Sequence, residues 1–332
     1  MTRLKVVITD HRFADVEQER RAVEAAGGQL VVGQATEEQQ LIELCRDADG
    51  ILNGRSKVTA PVIAAMGRCR IIVRYGIGVD TIDIGAATAH GIMVANVPDY
   101  CIDEVSDHAL TLLLMLSRQI VPSMALATED RWILSKMPPL HRLRGQVCGL
   151  CGAGQIGSLL SGKVRKLGMH VMVYDPYLNE SRAQEIGAEK VSIDALLARA
   201  DFISIHAPLN DETNHLFDEP AFKKMKNTAF IINTARGGLI DEGALLAAVN
   251  AGDIGGAALD VLESETEVTP VRRALLANPK VILTAHTAWL SDEARVTLQA
   301  RAVAQVISCL KGGRPYGIIN GSLERVRVTP TG

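Results

Sequence analysis

The chain has 332 residues, with 35 Lys and Arg against 38 Asp and Glu, for a formal net charge of -3 at pH 7. This near balance, with no basic block, argues against a nucleic-acid partner, and no apolar run reaches the length that crosses a bilayer, so no membrane partner is expected. Its length exceeds what one core organises, so two domains are expected, and a composition 47% hydrophobic but only 4% aromatic suits parallel sheets covered by helices.

The six cysteines are scattered through apolar runs, as buried reduced thiols would be, and no metal-ligand array is expected among them. No signal-like apolar core precedes the first strand, so a cytoplasmic location is expected. That strand is read over Leu4 to Thr9. A charged amphipathic helix follows and stops at Gly27-Gly28. Gln29 to Gly33 is a second strand, Leu41 to Arg46 lies in a helix, and Gly50-Ile51-Leu52 is a short strand ending in Asn53-Gly54-Arg55-Ser56. Thr59 caps a helix with Pro61 in its first turn. Ile71 to Val73 is a strand that runs into Arg74-Tyr75-Gly76-Ile77-Gly78. Ile82 to His90 is helical, and Ile92 to Val97 is a further strand. Alternating strands and helices predict a doubly wound parallel sheet.

The rhythm then changes. Asp103 is read as the N-cap of a long apolar helix reaching Arg118, and a polar, exposed crossover holding Trp132 and Pro138-Pro139 follows. Strands resume at 147–150, 171–174, 202–206, 230–233, 256–259 and 281–284, and a helix from Asp292 to Leu310 ends at Gly312-Gly313.

Between the first two of these strands stands Gly152-Ala153-Gly154-Gln155-Ile156-Gly157, and Asp175 ends the second strand. Strand, glycine turn, helix, strand and acid in that order form a dinucleotide fingerprint. Gly152 permits the turn, Gly154 admits a pyrophosphate to the backbone, and Gly157 lets the helix lie close to the strand. The helix N-terminus offers free N–H groups to the phosphates, and Asp175 can accept from a ribose.

Ligands of open parallel sheets bind beyond the carboxyl ends of the strands. The residues there are His206-Ala207-Pro208-Leu209, Asn233-Thr234-Ala235-Arg236-Gly237-Gly238, Asp260 and Ala285-His286. Hydride transfer between a nicotinamide and a 2-oxo acid needs a cation for the carboxylate and a proton donor for the carbonyl oxygen. Arg236 suits the first task and His286 the second, with a nearby carboxylate to orient the ring. His206 reads as a packed or cofactor-side histidine.

These stretches, taken with Ala257-Ala258-Leu259-Asp260-Val261, resemble the D-2-hydroxyacid dehydrogenase family over nearly the whole chain. The resemblance implies two Rossmann-like domains. A flavodoxin-like substrate domain would be built from residues 1–101 and 287–332, with an NAD-binding domain, 102–286, inserted between. It implies Arg236 as the carboxylate clamp, His286 as the acid–base group and Glu265 as its partner. Glu263 and Glu267 flank Glu265 closely enough to compete for that role. Along NAD it implies the glycine turn with Gln155 and Ile156, then Asp175, His206, Ala207, Pro208, Thr213, Thr234, Ala235, Arg236, Asp260 and His286. Around the substrate it implies Arg55, Ser56, Tyr75, Gly76, Ile77, Gly78 and Trp289. The helix from Asp103 would form the core of a homodimer.

The family usually has proline after the catalytic glutamate, and Thr266 stands there. Glu265 itself argues against formate as substrate. Thr287-Ala288-Trp289 after His286 is similar to the branch of the C-terminal binding protein corepressors, while Arg55-Ser56 resembles the phosphoglycerate dehydrogenases, although their extra regulatory domain is not expected at this length. The resemblance therefore implies an NAD-dependent oxidoreductase acting on a small 2-oxo or (R)-2-hydroxy acid. The alternative is an NAD(H)-sensing dimeric scaffold like those corepressors.

Overall fold

The computed structural model describes residues 3–129, 132, 135 and 137–321. The chain forms two compact units, Met1–Tyr100 with Ser291–Gly332, and Cys101–Leu290. The second crossing therefore falls after residue 290, not after 286. Thr287 and Ala288 stay with the second unit because their N–H groups donate to the Asp260 carboxylate, each at 2.9 Å.

The first unit holds a parallel sheet of β1 (Leu4–Ile8), β2 (Gly28–Val32), β3 (Gly50–Asn53), β4 (Ile71–Arg74) and β5 (Met93–Ala95), in the order β2-β1-β3-β4-β5. Val6, Val7, Ile8, Ile51, Leu52, Ile71, Ile72 and Val73 are all buried. A sheet covered on both faces needs such unbroken apolar runs. Helices α1 (Glu17–Ala25), α2 (Glu38–Cys45), α3 (Ala60–Ala65) and α4 (Ile84–Ala89) make the crossovers. Thr59 takes the N-cap position of α3 and Pro61 lies in its first turn, as expected, but the Thr59 hydroxyl donates to Glu38 at 2.5 Å and makes no capping bond. Gly33, placed in a strand from the sequence, lies one residue past β2.

This unit is completed from the far end of the chain. The long helix Asp292–Leu310 is capped by Ser291, whose Oγ accepts from the Ala294 N–H at 2.9 Å. It packs on α1, β3 and β4. A side chain at Gly50 would put its Cβ 2.7 Å from Val306, so glycine there lets the helix close on the sheet. The next segment lies along β5, where Ile319 N–H donates to Val94 O at 2.8 Å and Asn96 N–H to Gly317 O at 2.9 Å. An edge strand's unpaired groups are thereby covered.

The second unit opens with α5 (Ile102–Ser117). Asp103 is not its cap: Cys101 holds that position with no side-chain capping bond, and Asp103 and Glu104 lie in the first turn, where their charge favours the helix dipole. The crossover that follows is not uniformly polar. Ile120–Thr128 is α6, entered through Gln119 at φ 49°, and none of its residues is buried. Much of the remaining crossover lies outside the described residues. Trp132, which is described, is 84% exposed.

Seven strands follow: β6 (Val147–Cys151), β7 (His170–Tyr174), β8 (Glu189–Lys190), β9 (Phe202–Ile205), β10 (Phe230–Asn233), β11 (Gly256–Leu259) and β12 (Val281–Leu283). Their order is β12-β11-β10-β9-β6-β7-β8, all parallel. This is the doubly wound dinucleotide arrangement with one added strand, and the strand order reverses between β6 and β9. Side chains alternate faces. Cys148, Leu150 and Ile232 join a core with Leu112, Leu116, Leu160 and Val164, from α5 and α7 (Gln155–Lys166). Cys151, Ile231 and Leu259 join the opposite core with Leu196, Phe222 and Leu245, from α9 (Ile193–Arg199), α10 (Glu219–Lys224) and α11 (Glu242–Ala251). The short helices α8 (Glu180–Glu185) and α12 (Pro270–Ala277) complete the unit, and Asp292–Leu310 is α13. No single helix among the described residues is long and apolar enough to cross a membrane.

Candidate active site

The turn after β6 has the geometry a pyrophosphate requires. Gly152 stands at φ 95°, and a Cβ there would lie 2.8 Å from the backbone of His206 and Ala207. A Cβ at Gly157 would lie 2.4 Å from Gly152 O. Both glycines are demanded by packing. Gly154 is different: nothing lies within 4 Å of where its Cβ would be. A glycine facing open space at the N-terminus of a 12-residue helix, with no side chain capping it, leaves the N–H groups of Gln155 and Ile156 facing outward to an anion. The residues present therefore fit a dinucleotide. Asp175 braces this turn, its Oδ2 accepting from Ala153 N–H and its Oδ1 from Tyr177 N–H, both at 2.9 Å.

Cys148 and Cys151 have CxxC spacing, but on a strand these positions face opposite sides. Burial pushes both thiols up to about 12, so they stay protonated and inert.

At the end of β12, His286 adopts φ 55°, a left-handed conformation that non-glycine residues seldom take. Its Nδ1 bonds Glu265 Oε1 at 2.5 Å, which leaves Nε2 as the outward proton-carrying atom. Asp260 is almost fully buried and organises this loop. Its Oδ1 accepts from the Thr284 hydroxyl at 2.5 Å and Thr287 N–H at 2.9 Å, its Oδ2 from Ala288 N–H at 2.9 Å, and its carbonyl from His286 N–H at 2.8 Å. The sequence signal for Asp260 was its place at a strand end, but nothing local foretells that its carboxylate faces the His286 loop.

Of the three neighbouring glutamates, Glu265 is the one that reaches His286. Glu263 bonds His215 Nε2, and its N–H donates to Glu242 at 2.7 Å. Burial raises the Glu242 carboxyl above its usual range, with the Glu263 N–H partly opposing it. Glu267 N–H donates to Ser264 Oγ at 3.1 Å. Arg272, from α12, reaches the carbonyls of Glu265 at 3.3 Å and Glu267 at 3.0 Å. Gly237 allows this segment past the Arg236 turn, since a Cβ there would sit 1.9 Å from the Leu262 carbonyl carbon. Glu242, Arg272 and His215 were not legible as site residues, because each acts on a segment distant in sequence.

Arg236 follows β10, and Asn233 shapes its turn. The Asn233 Nδ2 donates to Arg236 O at 2.8 Å, and its Oδ1 accepts from Ala235 N–H at 3.0 Å. Arg236 Nη1 donates to Ala235 O at 2.7 Å. Thr234 is buried with its hydroxyl lacking a hydrogen-bond partner, an orphan at the rim where a nicotinamide amide is expected. His206 Nε2 lies 2.9 Å from Ser204 Oγ, and burial pushes its pKa down to about 4. It is neutral near pH 7 and cannot serve there as a cationic acid. Ala207 and Pro208 begin the loop after β9, which the Thr213 hydroxyl closes by donating to Pro208 O at 2.6 Å.

The first unit carries Arg55 and Ser56 after β3, and Tyr75 to Gly78 after β4. Gly54, Arg55 and Ser56 aim successive N–H groups at Asp10, at 3.2, 2.7 and 3.2 Å. This backbone hollow, a form suited to anions, is filled by the protein's own carboxylate. Burial works to raise the Asp10 carboxyl, but these N–H groups and the Ser56 and Thr9 hydroxyls outweigh it and hold it below the usual range. The Ser56 hydroxyl lies 2.7 Å from Asp10 Oδ1 and 2.5 Å from Ala35 O, so it is engaged within the fold. Arg55 keeps its place on that loop. Tyr75 is buried and donates its hydroxyl to Glu19 at 2.8 Å, with Gln299 Nε2 on the same carboxylate at 3.1 Å. Its ring therefore belongs to the core of the unit. Gly76 N–H turns back to Arg74 O at 2.9 Å, so it is committed within the loop that carries Ile77 and Gly78. Trp289 lies half-buried in the turn after His286.

The family model of the D-isomer specific 2-hydroxyacid dehydrogenase NAD binding domain matches residues 110–288, more than half of the chain. The chain belongs to the D-2-hydroxyacid dehydrogenase family. NAD is the cofactor of that domain. The chain is 35% identical over 313 residues to the D-3-phosphoglycerate dehydrogenase of Synechocystis sp., covering 94% of this chain and 55% of that one. It therefore spans about half the length of the curated phosphoglycerate dehydrogenases it matches. The glyoxylate reductase of Korarchaeum cryptofilum is 32% identical over 291 residues, which cover 86% of this chain and 87% of that one. Among solved structures, D-lactate dehydrogenase from Aquifex aeolicus, complexed with NAD and lactic acid, superimposes with a TM-score of 0.88 at 26% identity, covering 96% and 99% of the two chains.

Proposed function

We propose that the chain is an NAD-dependent D-2-hydroxyacid dehydrogenase that interconverts a small 2-oxo acid and its (R)-2-hydroxy acid. The His286–Glu265 pair, at 2.5 Å, is the observation that carries this assignment. When bound, NAD(H) supplies or accepts the hydride at the substrate's C2. Arg236 holds the carboxylate through its planar donor fork. During reduction, His286 Nε2 gives its proton to the carbonyl oxygen; during oxidation the same atom removes it from the hydroxyl. Glu265, accepting from Nδ1–H, fixes the ring orientation and offsets the charge of the imidazolium. Dinucleotide sensing alone requires no acid–base pair, so the His286–Glu265 pair favours the enzyme over an NAD(H)-sensing scaffold.

Asp175 favours NAD over NADP, since a carboxylate beside a 2′-phosphate repels it and loses its ribose bond. Trp289, three residues after His286, provides a flat wall for the substrate side chain. One panel tests all of this: kcat/KM for glyoxylate, pyruvate and a longer apolar 2-oxo acid, with NADH and with NADPH, for the wild type and Trp289→Ala. NADH should be preferred, and Trp289→Ala should cost the longer acid about 1–3 kcal/mol relative to glyoxylate. Tight NADH binding without turnover of any acid would sink the dehydrogenase assignment. Equal losses on all three acids would make Trp289 a packing residue.

The chain is further proposed to form a homodimer through α5 and α6. In support, the apolar helix α6 buries none of its residues, and Met124 is 62% exposed. Sedimentation equilibrium giving a monomer at micromolar concentration would refute this.

A further inference from the structure

We propose that His108, on α5, is a positioning residue for His286. This rests on the dehydrogenase assignment for its consequence, though not for its geometry. His108 Nε2 lies 3.0 Å from Thr284 Oγ1 and 3.6 Å from Asp260 Oδ1. Thr284 Oγ1 is 2.5 Å from that same Asp260 oxygen. A hydroxyl has one proton, and an ionised carboxylate only accepts. The Thr284 proton therefore goes to Asp260, and the Thr284 oxygen accepts from His108 Nε2–H.

A directed chain results: His108 Nε2–H to Thr284, Thr284 O–H to Asp260. The Asp260 carboxylate also receives the N–H groups of Thr287 and Ala288, and its carbonyl receives that of His286. Residues 284 to 288 are thus wrapped around one buried acid, and His286, in the middle, is held at φ 55°. That conformation persists only where its surroundings over-determine it. His108 closes the outer end of the chain and fixes the Thr284 hydroxyl rotor. Without it the hydroxyl can turn away, Asp260 loses an acceptor bond, and the ring of His286 loses its fixed aim. The imidazolium and the Nε2–H tautomer both present this donor, so the positioning does not depend on the charge of His108.

Two readouts test this, one of them independent of turnover. In the NADH-free protein, amide hydrogen exchange at Thr287 and Ala288 should be faster in His108→Ala and close to wild type in His108→Gln, whose Nε2–H reaches the same oxygen. In steady state, His108→Ala should lower kcat on the order of 10- to 100-fold, the cost of a reacting group displaced by about 1 Å, with KM for NADH little changed. His108→Gln should recover most of it. Thr284→Val and Thr284→Ser form a second pair with the same pattern, should His108→Ala fold poorly. Unchanged exchange in both Ala and Val variants overturns the proposal, as does a kcat loss without faster exchange or a failure of His108→Gln to restore either readout. If the wild type turns over no 2-oxo acid while exchange follows the pattern, the dehydrogenase assignment falls and the positioning stands.

Discussion

Glu263 and Glu265 are two residues apart and face different histidines, His215 and His286. Only the second pair should matter to the chemistry. Glu265→Gln should lower kcat by about 100-fold, within the range of general acid–base effects, while NADH still binds. Glu263→Gln removes a half-exposed pair, worth about 0–1 kcal/mol of stability, and should leave kcat near wild type. A stopped-time assay of both variants decides between them, and equal losses would place the acid–base partner elsewhere. Arg236 and His286 were legible because a charged or titrating side chain directly after an apolar strand stands out. Glu265 came from the family resemblance, which left Glu263 and Glu267 as rivals, and it is the one whose carboxylate reaches His286. Other residue assignments depended on partners that lie far off in sequence. Asp10 fills the hollow beneath Arg55 from 45 residues away, and Tyr75 turns to Glu19 from 56 residues away. No local pattern could show that the Ser56 and Tyr75 hydroxyls are committed within the fold.

Strands and helices with long apolar runs were read closely: β10 and β11 match residue for residue, as does α13. The omissions have physical causes. β8 has two polar residues and no apolar alternation, while α6 follows α5 after a left-handed break at Gln119 that composition does not reveal. At the glycine turn, element geometry makes a prediction that separates packing from ligand binding. Gly154→Ala adds a methyl to open space and should fold with little change in melting temperature. It should weaken NADH binding measurably, because that methyl occupies the approach to the helix N-terminus. Gly157→Ala drives a methyl toward Gly152 O and should cost about 1–3 kcal/mol as overpacking. Calorimetry with NADH titration checks both, and a Gly154→Ala protein that binds NADH normally would move the phosphates off this helix.

At the scale of the molecule, His206 couples stability to acidity. Its folded pKa is about 4, against a usual value of 6.5. The unfolded chain therefore takes up this proton first as pH falls, so the contribution is whole above pH 6.5 and is lost progressively down to pH 4. The loss is at most about 3 kcal/mol, since each pKa unit is worth about 1.4 kcal/mol and the residue keeps some open surface. Glu242, raised by burial, works in the opposite sense, because its folded form holds a proton that the unfolded chain releases. Urea unfolding between pH 7 and 4.5 should show a shallower loss for His206→Asn than for the wild type, and identical slopes would remove His206 from the account.

The first unit also has a history in time. Its sheet is closed by α13, which packs on α1, β3 and β4 but begins only at Asp292. At 5–20 residues per second, a ribosome takes roughly 15 to 60 s to pass from β1 to that helix. Throughout that interval the face around Gly50 and Ile71 stays bare, while residues 101–290 emerge with every strand of their own sheet. The inserted unit can therefore fold during synthesis, and its host must wait. The nascent chain carries an uncovered half-sheet for most of its synthesis, and apolar surface exposed that long is open to aggregation.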